Sequence, residues 1–492
     1  LLRVCVSVLS VMAEDGPVLE SPRTLDRSKL EDNFEVLALE IPAKRTGEFM
    51  KKIRSHLLNL PRRKNVEPAP CSGANLLLLS RRFEDVSNLP SPDREWVLDQ
   101  ISQAHVKLAK FTVSLGYEHF TAEEVLRKLL PSNIEVPSSF EQAGHVCHLN
   151  LRDSQLPFRH LIAQVILDKN KSVKTVVNKV GKIETEFRTF PMEHLAGDPS
   201  TVIRLKEQQC WFEFEYRDVY WNSRLQGEHA RLIDTLFLNS VGGRGRRPVL
   251  ADCTCGIGPF SLPVVKQTQG IVSHANDLNP ESVRWLARNA EINKLPCVDR
   301  VAGVPPYGEQ FAAPENGSRL VIHEPGDARD FVRGLFQGRH PVSHALFNLP
   351  ATGVELLDCF RGLAYADHGL PSPLVCCYTF SDAAVDSPGD DGCVADLLRR
   401  LSNVLDVPLE YLRYAGNPER DRLPLPSPQV EEMVKGAAAS PSADAKGDDL
   451  QRTAVAIRLV RNVAPTRHMF CVCFQVPAYD SSEPMEKRAK MA

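Results

Sequence analysis

The chain lacks any obvious means of crossing a membrane. Its apolar opening, Leu1–Ala13, is too short to span a bilayer. With Arg3 and no acid before Glu14, that opening has the look of a targeting leader, and Met12 is an alternative start. Excess positive charge is also missing. The 59 Lys and Arg are outweighed by 62 Asp and Glu, for a net charge of −3. That excludes a globally basic chain, so any polyanion must be met by local basic patches. Although there are 13 cysteines, no two form a C-x-x-C pair. The ligand spacing of a structural zinc site is therefore absent, and no metal is expected. Cys253/Cys255 and Cys471/Cys473 have the one-residue spacing that puts two thiols on one face of a strand. Such thiols predict a reduced core and a cytoplasmic setting, with the mitochondrial matrix and the nucleus as alternatives. No internal repeat is visible, which excludes a solenoid.

What is present is an ordinary globular composition. Hydrophobic residues make up 43% and charged residues 25% of 492, enough for roughly two to four domains. Residues 1–30 carry no sustained period and are expected to be disordered. From Phe34 the run EVLALEIP predicts a strand, and a basic stretch follows from Lys44 to Arg63. The segment Asp93–Leu130 is helical in pattern, so 31–140 is taken as an N-terminal domain. Residues 141–216 predict a small α+β domain: strand His145–Leu151, helix Pro157–Leu167, then the β-rich VKTVVNKV, TVIRLKE and CWFEFEY. From about 217 to 480 the rhythm is strand, helix, strand, helix. PVLADC, IVSHANDL, HALFNL and PLVCCYTF are the strands, and AVAIRLV and HMFCVCFQV close the series. Repeated βα units predict an α/β domain with a doubly wound parallel sheet, and the last close pair predicts an antiparallel end. Residues 416–449 are rich in Pro, Ser, Ala and Asp and are expected to be a disordered insertion, as is the tail from 481.

Three strand ends carry the polar residues of a ligand site. The first reads Asp252-Cys253-Thr254-Cys255-Gly256-Ile257-Gly258-Pro259-Phe260. Gly256 and Gly258 allow a tight turn and close backbone approach to a ligand. This is D-x-x-x-G-x-G, without the third glycine of a dinucleotide fingerprint. The second places Asp277 where it can accept from a ribose diol, although Asp277 or Asn279 can instead cap the helix at Pro280. The third places Asp327 where it can take an adenine amine, or simply close a turn. At a fourth strand end, Asn348-Leu349-Pro350 follows an apolar run. Its amide can hydrogen-bond a planar base edge with both donor and acceptor, or cap a helix after Pro350. N-[LP]-P here resembles the signature of methyltransferases that act on planar nitrogens.

More segments extend the resemblance. DVYWNSRLQGEHAR at Asp218–Arg231, with HLNLRD, LDKN, VVNKVG, EFRTF, LAGD, GIGPF, NDLNP, GDARDF, NLPA and the late VAP…FCVCF, resembles the tRNA (guanine-37) N1-methyltransferase family of archaea and eukaryotes. The resemblance runs from about residue 30 to 478. It implies a Rossmann-like S-adenosylmethionine methyltransferase domain, preceded by a small α+β domain and an N-terminal domain that touches the outer corner of tRNA. It implies a monomer that binds tRNA at the anticodon loop and that corner. It also implies roles. Glu228 is the general base, Arg188 the catalytic arginine, and Asn348 holds the base edge. Tyr220 forms the substrate site. Gly256, Gly258, Asp277 and Asp327 contact S-adenosyl-L-methionine, with Glu228 and Asn348 at the same site. The resemblance departs at Thr254, where the family usually has an aromatic.

The chemistry wants these residue types. Guanine N1 carries a proton and cannot attack a methyl sulfonium until a base removes it, a task worth about 10²–10⁴-fold. Charge then builds on O6, which a fixed guanidinium can stabilise. Without the resemblance, Glu228 reads as a solvated helix carboxylate and Arg188 as a surface ion-pair partner. The alternatives are the aminocarboxypropyl transferase of wybutosine synthesis, a planar-nitrogen methyltransferase for protein or DNA, and an RNA-binding module without catalysis.

Overall fold

The computed structural model describes residues 25–477, apart from 71–72, 138, 182–186, 188, 190, 239–246, 316, 383–391, 408, 410–411, 415–452 and 465. The predicted insertion 416–449, the tail from 481 and the first 24 residues lie outside the described residues. The described chain forms two compact units. The first holds residues up to Glu141 with Val146–Lys179 and Glu193–Pro199, and the second holds the rest.

Alternating burial builds the first unit. The strand Asp32–Pro42 pairs antiparallel with Ala74–Leu78 on one side and Lys107–Leu115 on the other. Leu39 and Ile41 point to a cluster with Phe49, Leu77 and Val97. Their neighbours Val36 and Ala38 point the opposite way, to Leu78, Val113, Val125 and Leu126. A sheet buried on both faces leaves little room for a long helix along 93–130, and the expectation of one is corrected here. That segment is a helix Asp93–Ser102, the strand Lys107–Leu115, and a helix Ala122–Leu129. The alternation in KLAKFTVSL wins because it pairs along nine residues with Asp32–Glu40. Helix Ala122–Leu129 starts where it does because Thr121 and Glu124 form a capping box. The predicted disorder through residue 30 is also corrected at its end. Arg27–Leu30 is a 3₁₀ turn whose Leu30 is fully buried. Helix Arg159–Lys169 packs on the parallel pair Val146–Leu149 and Thr175–Lys179.

The second unit is built on a nine-stranded sheet among the described residues. Its order is Cys297–Val301, Arg319–His323, Val272–Ala275, Val249–Asp252, His344–Phe347, Leu374–Ser381, Arg467–Gln475, Thr453–Ala464, Leu412–Tyr414. The first six strands are mutually parallel, and Arg467–Gln475 enters antiparallel, as the close final pair predicts. The strands Arg319–His323 and Cys297–Val301 are additions to the sequence reading. The parallel strands from Val249 to Leu374 are short and mostly buried, in keeping with a sheet covered on both faces. Phe347, Val375, Val472 and Phe474 share a core with helix Gly392–Leu405. The hairpin Val202–Glu207/Cys210–Glu215 is tied to the helix Pro280–Ile292: Asn289 and Asn293 accept from the N–H groups of Glu213 and Trp211. The described cysteines are free thiols, buried except for exposed Cys297 and half-buried Cys473. No helix among the described residues is long and apolar enough to cross a membrane.

The strand order reverses beside Val249–Asp252. Its neighbours Val272–Ala275 and His344–Phe347 follow it in opposite directions across the sheet. Ligands of open α/β sheets sit in the crevice beyond the carboxyl ends at such a reversal.

Candidate active site

At that crevice the chain turns through 253–260 on two glycines with φ of +55° at Gly256 and +94° at Gly258. The two differ in what surrounds them. A Cβ on Gly258 would stand 2.5 Å from Leu286 Cδ1 and 2.8 Å from Leu262 Cγ. A Cβ on Gly256 would meet nothing within 4 Å among the described residues, so the turn there is open on that side. Gly258→Ala is therefore expected to destabilise the fold by about 1–3 kcal/mol through crowding, beyond a strain of roughly 1–2 kcal/mol that Gly256→Ala shares. Thermal unfolding of the two variants checks this; equal losses would reject the packing argument.

Asp252 lies beneath the turn, fully buried. Its Oδ2 accepts from Ser261 Oγ at 2.7 Å, and Ser273 Oγ donates in turn to Ser261 at 3.0 Å. Burial pushes the Asp252 carboxyl up to about 7. Asn276 stitches the strand ends together, donating to the carbonyls of Cys253 at 3.2 Å and Gly326 at 3.0 Å.

The capping question at the second strand end resolves by a division of labour. Asn279 caps the helix Pro280–Ile292 by accepting from Glu281 N–H at 3.0 Å. Asp277 stays at the strand end. Its Oδ2 accepts from Gly256 N–H at 2.8 Å and its Oδ1 from Asn279 N–H at 2.9 Å. The glycine turn and the acid are thus one unit. Burial raises the Asp277 carboxyl, and these two backbone bonds oppose that rise. Asp327 does act as a helix cap: its Oδ1 accepts from Arg329 N–H at 2.7 Å at the start of Ala328–Gln337.

Asn348 is not a cap. The 3₁₀ helix Glu355–Phe360 that follows begins after Val354. The Asn348 backbone N–H donates to Thr254 Oγ1 at 2.8 Å, and its side-chain Oδ1 is buried without a hydrogen-bond partner among the described residues. A buried acceptor left unpaired costs about 1–3 kcal/mol, so this atom points to a donor from a ligand. Thr254, the residue that departs from the family's aromatic, is what bridges the two strand ends on either side of the reversal.

Glu228 is not a solvated carboxylate. It sits on the short helix Gln226–Ile233 and is 7% exposed. Arg231 grips it with both arms, Nη2 to Oε1 at 2.6 Å and Nε to Oε2 at 2.9 Å. Tyr378 Oη donates to Oε1 at 3.1 Å, and Arg458 Nη1 donates to Oε2. Tyr378 and Arg458 were not singled out from the sequence, nor was Arg231. The available signal was a charged residue inside the apolar run AVAIRLV. Tyr220 is 38% exposed, and its hydroxyl accepts from Asn222 Nδ2 at 3.3 Å. Arg188 lies outside the described residues. The structure thus joins Gly256 to Asp277 and Thr254 to Asn348 at the sheet crevice, and gives Glu228 a buried cationic setting.

The chain is similar to known proteins along most of its length. Residues 202–339 match the TRM5/TYW2 methyltransferase domain, and residues 122–201 match the TYW2 N-terminal domain. A tRNA (guanine(37)-N(1))-methyltransferase of Phytophthora infestans is 34% identical over 94% of this chain and 95% of its own length. A human protein of the same name is 31% identical over 92% of this chain and 76% of its own. Among solved structures, "The complex structure of aTrm5 and tRNALeu" aligns with a TM-score of 0.53 at 18% identity, over 89% of this chain and 99% of that one. That likeness shows the fold.

Proposed function

The chain belongs to the tRNA (guanine-37) N1-methyltransferase family, and we propose from this that it transfers a methyl group from S-adenosyl-L-methionine to N1 of guanosine 37 in tRNA. The observation that carries the cofactor half is the joined strand ends. The turn at Gly256 is open where a side chain would stand, Asp277 presents a carboxylate beside it, and Asn348 Oδ1 awaits a donor. These residues fit an adenosyl group: Asp277 for the ribose diol, Asp327 for the adenine amine, Gly256 and Gly258 for close backbone approach. Bound there, S-adenosyl-L-methionine supplies an electrophilic methyl group.

The chain's own residues prepare the guanine. Asn348 holds its edge in line, an orientation role. Glu228 takes the N1 proton, so that the N–H pair of electrons stays on nitrogen as the nucleophile. Arg188 steadies the charge that then grows on O6. Tyr220, exposed at the start of this segment, offers a ring to the incoming base. In the first unit, Lys51, Lys52, Arg54, Ser55 and Asn59 line one shallow, open stretch of surface. This supports phosphate contacts by the basic stretch Lys44–Arg63. The enzyme acts as a monomer, and its free thiols support a reducing compartment.

Nucleoside mass spectrometry of tRNA after reaction tests the proposal. The expected product is 1-methylguanosine, lost when position 37 is changed to adenosine. Arg188→Ala is expected to slow a single turnover at least about tenfold with cofactor binding kept. The match of residues 122–201 to a TYW2 domain favours a second reading, aminocarboxypropyl transfer. The same spectrum decides, because that adduct is heavier than a methyl group.

A further inference from the structure

Glu228 receives hydrogen bonds from two strands as well as from its own helix, and a third strand lies between those two. Tyr378 stands directly opposite Cys471, and Cys471 directly opposite Arg458. Residues in register on neighbouring strands share a face, so the three form one row across the sheet. The next row on that face is Cys376, Cys473 and Ala456. These small side chains stand beside the longer Tyr378 and Arg458. The tyrosine hydroxyl and the guanidinium meet at one carboxylate, 150 and 230 residues away in sequence. Arg458 is the charged member of a strand stretch that otherwise reads Ala454, Val455, Ala456, Ile457, Leu459 and Val460.

A carboxylate offers about four acceptor positions, and four donors occupy those of Glu228. Arg231 supplies two from the same helix, Tyr378 one and Arg458 one. To receive a proton, one donor must yield. Arg231 is held to Glu228 by two bonds and Tyr378 is 1% exposed, whereas Arg458 makes one bond to Glu228 with a side chain that is 28% exposed.

We propose that Arg458, assisted by Tyr378, is a positioning residue for the catalytic carboxylate: it fixes the plane of Glu228 and leaves Oε2 to guanine N1–H when the base arrives. This rests on the reading of Glu228 as the general base. In the step itself the N1–H bond breaks, an O–H bond forms at Oε2, and the electron pair remains on N1. Arg458 is thereby assigned to the reaction although it lies in the penultimate described strand, 230 residues from Glu228 in sequence.

The test is single-turnover methylation of a tRNA transcript by the full chain, with S-adenosyl-L-methionine saturating. Arg458→Gln is expected to lower the rate about tenfold, near the low end for one lost bond to a charged group, and Tyr378→Phe, in its assisting role, about threefold. Arg458→Lys is expected to recover most of the loss, because an ammonium can still reach Oε2. The affinities for tRNA and cofactor should stay within about twofold. In a Glu228→Gln background, adding Arg458→Gln should cost less than about twofold more, since residues acting through one another are not additive. The proposal is overturned if Arg458→Gln keeps the full rate or raises it, if the loss lies in affinity, or if it multiplies undiminished in the Glu228→Gln background. Should Arg458→Gln fail to fold, Tyr378→Phe carries the same cycle. If Glu228→Gln itself is as fast as the parent, the base assignment fails, which is a distinct result.

Discussion

Glu228→Gln is expected to slow single-turnover methylation by about a hundredfold, within the range of 10²–10⁴ that general-base assistance supplies. The substitution keeps the shape of the side chain and removes its charge. Its amide retains one oxygen to accept from the surrounding donors, but turns an NH₂ toward a guanidinium. Two effects follow, and they separate experimentally. The chemical effect is loss of the proton acceptor, which appears in the rate. The structural effect is that Arg231 and Arg458 lose their shared counter-charge. Removing one partner of a fully buried pair costs about 3–5 kcal/mol. Here the two arginine side chains keep 23% and 28% exposure, so water offsets part of that cost. A drop in the unfolding midpoint is expected, without loss of cofactor binding at the reaction temperature. Glu228→Asp provides the contrast. It keeps the charge and withdraws it by about one methylene, so it should preserve more stability while still slowing the reaction. Calorimetry with cofactor alone, paired with rapid-quench turnover, measures both sides. A Gln variant that binds cofactor normally and reacts at the parent rate would remove Glu228 from the mechanism.

The sequence is most readable where one residue's local role and the fold's rhythm coincide. The strands PVLADC, IVSHANDL, HALFNL and PLVCCYTF are legible because they are apolar, short and spaced by helices. Their polar ends are legible as a site because three of them follow one another along the sheet. The stretch 93–130 misleads because Asp93–Ser102 and Ala122–Leu129 are helices, and their period spreads over the strand between them. Only pairing with Asp32–Glu40 decides the middle piece, and pairing is a contact between distant residues. Tyr378 and Arg458 escape notice for the same reason. Nothing local marks either as belonging to Glu228; the link is sheet register across three strands. Thr254 is a third case. Its absence of an aromatic is visible, but its hydrogen bond to Asn348 requires the two strand ends to be neighbours. Asn348 is ambiguous as a sequence because a strand-end Asn caps helices as readily as it meets ligands. The start of the next helix after Val354, with an Oδ1 buried and unpartnered among the described residues, separates the two readings, and no pattern of letters encodes either.

Asp277→Ala is expected to weaken S-adenosyl-L-methionine binding by about a hundredfold, because the acids at these strand ends differ in what they already hold. Asp327 gives Oδ1 to the N–H of Arg329 as a helix cap. Replacing such a cap costs about 1 kcal/mol of stability, and that share of Asp327's work is structural. Asp277 also accepts two backbone N–H groups, but one comes from Gly256, inside the turn that the ligand must approach. Its loss therefore acts twice. It removes the carboxylate that a ribose diol would meet, where each hydrogen bond to a charged group is worth about 1.5–3 kcal/mol. It also frees the N–H of Gly256, inside the turn where that glycine adopts a φ of +55°. Asp277→Asn is the sharper variant, because it keeps volume and one acceptor. The turn should survive better, while the amide presents a donor in place of one carboxylate oxygen, so affinity should fall by roughly tenfold. Asp327→Ala should lower affinity less than Asp277→Ala and stability by about as much as a lost cap. Titration calorimetry with the cofactor, and tRNA binding measured without it, give the two readings. If Asp277→Ala binds cofactor within threefold of the parent, the joined turn and acid are a brace for the sheet ends and the ribose contact must be sought elsewhere. If affinity collapses while tRNA still binds, the crevice beside Gly256 is where the methyl donor sits.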